Sequence, residues 1–147
     1  MRHAVGQGGS RGQAIVEMAI ALTLLLFLFV GTLDFGRIYY TTLGVAHAAR
    51  EGAQYGAQSN TTSSDIAGMQ QAALDAAGDV PGVTASARQY CKCADGSTVD
   101  CITGTCPEGA QQVYVEVTVD KVFNTILRYP GIPQTVDVTR QVTIRVQ

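Results

Sequence analysis

Twenty consecutive residues, AIVEMAIALTLLLFLFVGTL from Ala14 to Leu33, are interrupted only by Glu17, Thr23, Gly31 and Thr32. As a helix rising about 1.5 Å per residue, this run is roughly 30 Å long, the thickness of a bilayer's hydrocarbon core. Before it stands MRHAVGQGGSRG, residues 1–12, with Arg2, Arg11 and His3, no acid and four glycines. Asp34 follows it directly. Positive charge before the span and acid after it place the N-terminus in the cytoplasm and everything beyond Leu33 outside. A secretory signal would have a shorter apolar core, of about 7–15 residues, followed by a small-residue cleavage site. Here the run is longer and continues into more helix.

Residues 34–58, DFGRIYYTTLGVAHAAREGAQYGAQ, contain no proline and many alanines. Small residues recur at every fourth position, Gly44, Ala48, Gly52 and Gly56, a stripe that lets another backbone come close. Each glycine costs about 1 kcal/mol of helix propensity relative to alanine, and close packing is the reason expected for it. A single helix is therefore expected over residues 13–58, with 14–33 as its membrane-spanning part.

The head, residues 59–147, opens with a polar break, SNTTSS. Asp65 or Ser64 then caps a short helix, IAGMQQAALDAAG, that ends at Gly78 and Pro81. From Val83 the apolar period falls to two. VTASARQY (83–90) alternates weakly, and QVYVEVTV (112–119) puts Val113, Val115, Val117 and Val119 on one face. VDVTRQVTIRV (136–146) repeats the pattern, broken at Arg140. Between the last two strands VFNTILRYPGIPQ is expected as a long connection broken by Pro130, Gly131 and Pro133. The fold class that follows is α+β. The C-terminal half of the long helix covers a small antiparallel sheet of about three strands, with one extra short helix.

Cys91, Cys93, Cys101 and Cys106 form one cluster, C-x-C-x7-C-x4-C. An exterior location makes disulfides their expected state, and the spacing lacks both the paired C-x2-C of zinc sites and the C-x-x-C of catalytic dithiols. Three pairings are possible. A hairpin folding back around Asp95–Ser97 favours the nested one, Cys91 with Cys106 and Cys93 with Cys101, within a loop spanning 91–106. His47 has no Cys, Asp or second His at ligand spacing, and neither a catalytic constellation nor a phosphate-cradling loop is recognisable, so no metal, cofactor, small-molecule substrate or enzymatic activity is expected. With 10 Lys+Arg against 12 Asp+Glu the net charge is −2. Loss of residues 1–12 removes Arg2 and Arg11 and leaves 8 against 12, or −4. Neither balance suits a nucleic-acid partner.

The junction RG|QAIVE carries the most information. Gly12 precedes an apolar segment whose one charge is Glu17, at the fifth position after the glycine. A carboxylate near the end of a membrane helix costs of order 2–3 kcal/mol, and such residues are usually functional. A charge that merely snorkels to the headgroups is the alternative. This arrangement resembles the class III signal of type IV pilins, in which a prepilin peptidase cuts after the glycine. The resemblance implies cleavage between Gly12 and Gln13, and a pairing of Glu17 with the Gln13 amine of a neighbouring subunit during assembly.

Within that superfamily the segment 11–57, including DFGR at Asp34–Arg37 and AAREGA at Ala48–Ala53, resembles the TadE-like group of the tight-adherence (Tad) pilus systems. Membership implies a minor pilin or pseudopilin that assembles, or primes, an adhesive Tad pilus. Its partners would be the prepilin peptidase, other pilin subunits and the assembly platform. It would reside first in the inner membrane and then in the pilus at the cell surface. The head favours a minor over a main structural subunit, and a non-polymerising membrane-anchored binding protein is the alternative from another class. A periplasmic redox enzyme using the cysteines is a third.

Overall fold

The computed structural model describes residues 9–107, 109–128 and 131–146. The first eight leader residues and Pro130 lie outside them. The chain divides into two compact units, residues 1–37 and 38–147. One helix, α1 (Gly9–Ala57), runs through both. It begins ahead of the junction at Gly12, where the expected helix began one residue later, at Gln13. Elongation adds one hydrogen bond per residue fixed, so the strongly helical run carries the helix back past Gly12.

In the first unit α1 is apolar on all sides, and its large side chains from Ile15 to Phe29 are exposed. It is long and apolar enough to cross a membrane. Its two hydroxyls are satisfied within the helix: Thr23 Oγ1 donates to the Ala19 carbonyl at 2.8 Å and Thr32 Oγ1 to that of Leu28 at 2.9 Å. Neither brings an unmet donor into an apolar medium. Past the apolar run, Arg37 pairs with buried Asp34 at 3.1 Å, one turn back.

In the second unit helices cover one face of a sheet. Its elements after α1 are α2 (Asn60–Ser64), α3 (Ile66–Ala76), β1 (Val83–Lys92), β2 (Thr98–Val99), β3 (Gln112–Asn124) and β4 (Thr135–Arg145). The sheet is antiparallel with the order β2-β1-β3-β4. The three expected strands are present, β1 and β3 longer than expected and β4 of the expected length but one residue earlier, and the two-residue β2 is added. Val122–Asn124, expected in a loop, extends β3. The connection 125–134 is then closed by Thr125 N–H on the Gln134 carbonyl at 3.0 Å.

The SNTTSS break is itself a helical turn. Ser59 caps α2 by accepting from Thr62 N–H, and Thr62 Oγ1 accepts from Ser59 N–H in return. These hydroxyl residues are poor helix formers but good caps, which is why a five-residue helix fits among them. Asp65 caps α3 as expected, accepting from Gly68 N–H at 2.9 Å.

Val115, Val117 and Val119 of β3 are fully buried against Val45, Ala48, Ala49 and Ala53 of α1 and Met69 and Ala73 of α3. Alanines let the layers come this close, and Gly52 shows how close. A methyl group there would lie 2.8 Å from the Met69 carbonyl oxygen, 2.9 Å from Ala73 Cβ and 3.1 Å from Val117 Cγ1. Alanine favours helix by about 1 kcal/mol over glycine, yet overpacking a dense interior costs roughly 1–3 kcal/mol. Gly52→Ala should therefore lower the unfolding midpoint of the head in chemical denaturation. An unchanged or higher midpoint would show that α1 and α3 have room to separate.

Three polar residues sit at inward positions of the sheet, and the first of them, Lys121 of β3, lies in register with Val83 and Val138 and donates to the Pro81 carbonyl. Gln89 of β1 donates to Ser63 Oγ at 2.9 Å, and Ser63 is fully buried and donates onward to the Asn60 carbonyl. Arg140 of β4 faces Val119 in register, where the alternation expects an apolar residue. It stays exposed, donating to the Thr139 carbonyl, because β4 ends the sheet and leaves the guanidinium a route to water.

Candidate functional site

Gln13, Val16, Glu17, Ile20 and Leu24 follow one another at spacings of three, one, three and four residues, which puts them on one face of α1 with Gly12 at its head. Gly12 has open space around it, as do Gly31 and Gly36, whereas Gly44, Gly52 and Gly56 are hemmed in by Val80, Met69, Ala73 and valines of β3. Internal packing thus accounts for the second group and not for Gly12. Among the described side chains Glu17 is exposed and has no ion-pair partner. Glu17 is thus an unpaired carboxylate among the described side chains, one turn from Gln13 on the same face.

The stripe Gly44, Ala48, Gly52 and Gly56 receives its close neighbour from the same chain. The approaching elements are α3, β3 and the segment just before Pro81. His47 faces Glu51 one turn on, Nδ1 lying 3.9 Å from the carboxylate.

The residues 12–54 match a protein-family model described as TadE-like protein. This chain carries a TadE-like segment. It starts at Gly12, covers the apolar run and the DFGR and AAREGA motifs, and ends one turn before α1 does. The TadE-like resemblance therefore covers less than a third of the chain, and the head stands outside it. No curated protein and no solved structure matches the chain.

All four cysteines are bonded, but in a crossed pairing: Cys91 with Cys101 and Cys93 with Cys106, at Cα separations of 5.0 and 5.4 Å. The nested pairing of Cys91 with Cys106 and Cys93 with Cys101 is thereby corrected. Its reason lies in the hairpin register. Cys91 faces Val99 and Lys92 faces Thr98, and the turn is closed by Cys93 N–H on the Ser97 carbonyl. Cys101, two residues beyond Val99, falls beside Cys91 and out of reach of Cys93. A second turn, closed by Gly104 N–H on the Asp100 carbonyl, then returns the chain so that Cys106 meets Cys93. The turn near Asp95 was located correctly, but the nested pairing needed it two residues later.

Side-chain pairing across the head went unseen in the sequence. Glu116 of β3 is 9% exposed and binds Arg88 of β1. Arg88, helped by Gln141 and Thr143, holds the Glu116 carboxyl below its usual range. Asp65 is lowered by Gly68 N–H and then by the Tyr55 hydroxyl, Asp95 by Ser97, and Asp100 by the amides of Thr103 and Ile102. Each of these carboxyls is more acidic folded than unfolded. Their stabilisation is present above the ordinary carboxylate range, about pH 4, and is lost as pH falls through the lower folded values. Thermal unfolding of the head should accordingly hold steady from neutrality to about pH 5 and weaken progressively below about pH 4. Stability that rises on acidification would contradict these linkages.

Proposed function

We propose that the chain is a minor pilin or pseudopilin of a Tad-type pilus. Residues 14–33 hold it in the inner membrane, with the N-terminus in the cytoplasm and the head outside. A prepilin peptidase cuts between Gly12 and Gln13. The mature subunit then joins other pilin subunits at the assembly platform and passes to the pilus at the cell surface, where it serves adhesion.

The TadE-like match, beginning at Gly12 and running along α1, carries this reading. The open surroundings of Gly12 support it physically. A peptidase must unwind α1 to hold the scissile bond extended, and glycine lowers that cost by about 1 kcal/mol. The unpaired Glu17 supports the assembly step, since a carboxylate and an N-terminal ammonium desolvated together relieve each other's cost. The paired cysteines support an oxidising exterior for the head.

Glu17→Ala tests the assembly role apart from processing. It should leave expression, insertion and cleavage intact, and insertion can improve with the loss of an intramembrane charge. Recovery of the subunit in sheared surface filaments should fall severalfold. Equal recovery of variant and wild type would reduce Glu17 to a tolerated charge.

A further inference from the structure

The sheet has two faces, and α1 and α3 cover only one. On the other, β1, β3 and β4 bring together an ordered set of side chains. Tyr90 and Tyr114 are register partners, and their rings stack with centroids 5.7 Å apart and planes 14° from parallel. Lys92 Nζ lies 5.3 Å from the Tyr114 centroid and 5.8 Å from that of Tyr90. The Arg88 guanidinium carbon lies 5.3 Å from the Tyr90 centroid on the other side. Exposed Arg145 faces Tyr114 across the β3–β4 pairing, so Tyr90, Tyr114 and Arg145 form one row over three strands.

The charge here runs against that of the whole molecule. Among the described residues at this end of the face, Arg88, Lys92 and Arg145 stand with one acid, Glu116, in a chain of net charge −2; Asp120 and Asp137 share the face but lie towards its other end. Glu116 is buried and already bound to Arg88. The nearest acids past Lys92 in the cysteine loop are Asp95 and Asp100, both engaged by their own loop: Asp95 with Ser97, Asp100 with Ile102 and Thr103. The aromatic contacts hold the cations in place before any ligand arrives, which reduces the ordering cost of binding.

We propose that this face of the sheet binds an acidic polysaccharide, its carboxylates or sulfates on Lys92 and Arg145 and its sugar rings against the tyrosines. Charge complementarity calls for an anion. The fold narrows the class further. Both edges of β3 are occupied, by β1 and β4, so a peptide laid over Tyr114 gains no main-chain bonds there; a strand added at the outer margin of β4 would lie beside the tyrosines and not over them. A stacked tyrosine pair flanked by cations instead suits a polymer that presents both anionic groups and apolar ring faces. The choice of polymer rests on the head lying outside the cell. The binding itself requires neither leader cleavage nor filament assembly.

Purified full-length chain in detergent micelles should bind immobilised polygalacturonate in a salt-sensitive manner and not bind neutral dextran. Lys92→Gln with Arg145→Gln should weaken binding by roughly tenfold while leaving the unfolding midpoint unchanged. Arg140→Gln, on the opposite face, should change binding little and serves as the control for general charge. Absence of binding, equal weakening by the control, or a double variant that binds like wild type would each overturn the proposal. Tighter binding to polyglutamate, or to phosphatidylglycerol vesicles, would overturn it in favour of a peptide or a lipid surface. Because every arm uses uncleaved protein, a negative result leaves the pilin reading standing.

Discussion

Replacing Gly12 by leucine or lysine is expected to leave the chain at full length in the inner membrane, with no mature product. The residue is not needed for folding, because a side chain there meets open space. Leucine strengthens the helix at the position where the backbone must open, and lysine adds a long charged side chain at the cut itself. N-terminal sequencing of wild-type material should begin at Gln13, and the variants should retain Met1. Normal mature product from either variant, or a wild-type cut beyond Leu33, would remove the class III signal from this chain. Loss of product through misfolding is distinguishable, since the two bridges of the head should still form in both variants.

The second large effect concerns those bridges. Peptide mapping of unreduced, alkylated protein should find no free thiol and the crossed pairing. Cleavage after Lys92 separates Cys91 from Cys93. Cleavage before Asp95 separates Cys93 from Cys101, and cleavage before Ile102, which is 91% exposed, separates Cys101 from Cys106. Peptides joining Cys91 to Cys101 and Cys93 to Cys106 are expected, with sequence separations of 10 and 13. On the loop-entropy model each bridge stabilises by roughly 2–3 kcal/mol, enough that the Cys93→Ser/Cys106→Ser pair should lower the unfolding midpoint by several degrees. Four alkylated thiols in protein taken from outside the cell would refute both the oxidised state and the topology from which it was inferred.

The pairing shows where sequence reasoning stopped. Val113, Val115, Val117 and Val119 announce β3 because their alternation is strict and their partners are a flat layer of alanines. The small-residue stripe announces a close neighbour for the same reason, and the structure supplies it as α3, β3 and Val80. What was illegible depends on register. A shift of two residues in the β1–β2 turn exchanges the partners of Cys101 and Cys106, and composition does not record such a shift. β1 alternated only weakly because Ala85 and Ala87 are small and Gln89 points inward to Ser63, a partner 26 residues away. α2 was hidden because its hydroxyl residues stabilise it through caps, which a search for periodic apolar residues does not see. At the junction the reverse holds: Gly12, Gln13 and Glu17 are conspicuous in sequence, and the structure adds chiefly that Gln13 and Glu17 share one face and that Glu17 has no ion-pair partner among the described residues. Tyr90, Lys92 and Tyr114 gave no signal beyond their outward parity, since only the β1–β3 register brings them together.

Arg140 has a consequence for copies of this chain held at high density. β4 is eleven residues long and lies at the margin of the sheet. A long unpaired margin is a template on which a second molecule's strand can grow, and the crowding of a membrane or filament multiplies such encounters. A strand added beside β4 would close the guanidinium's way out to water and leave a charge between two layers. That single residue makes fusion of sheets costly at little expense to the folded monomer. Copies can then be concentrated without seeding a cross-β aggregate.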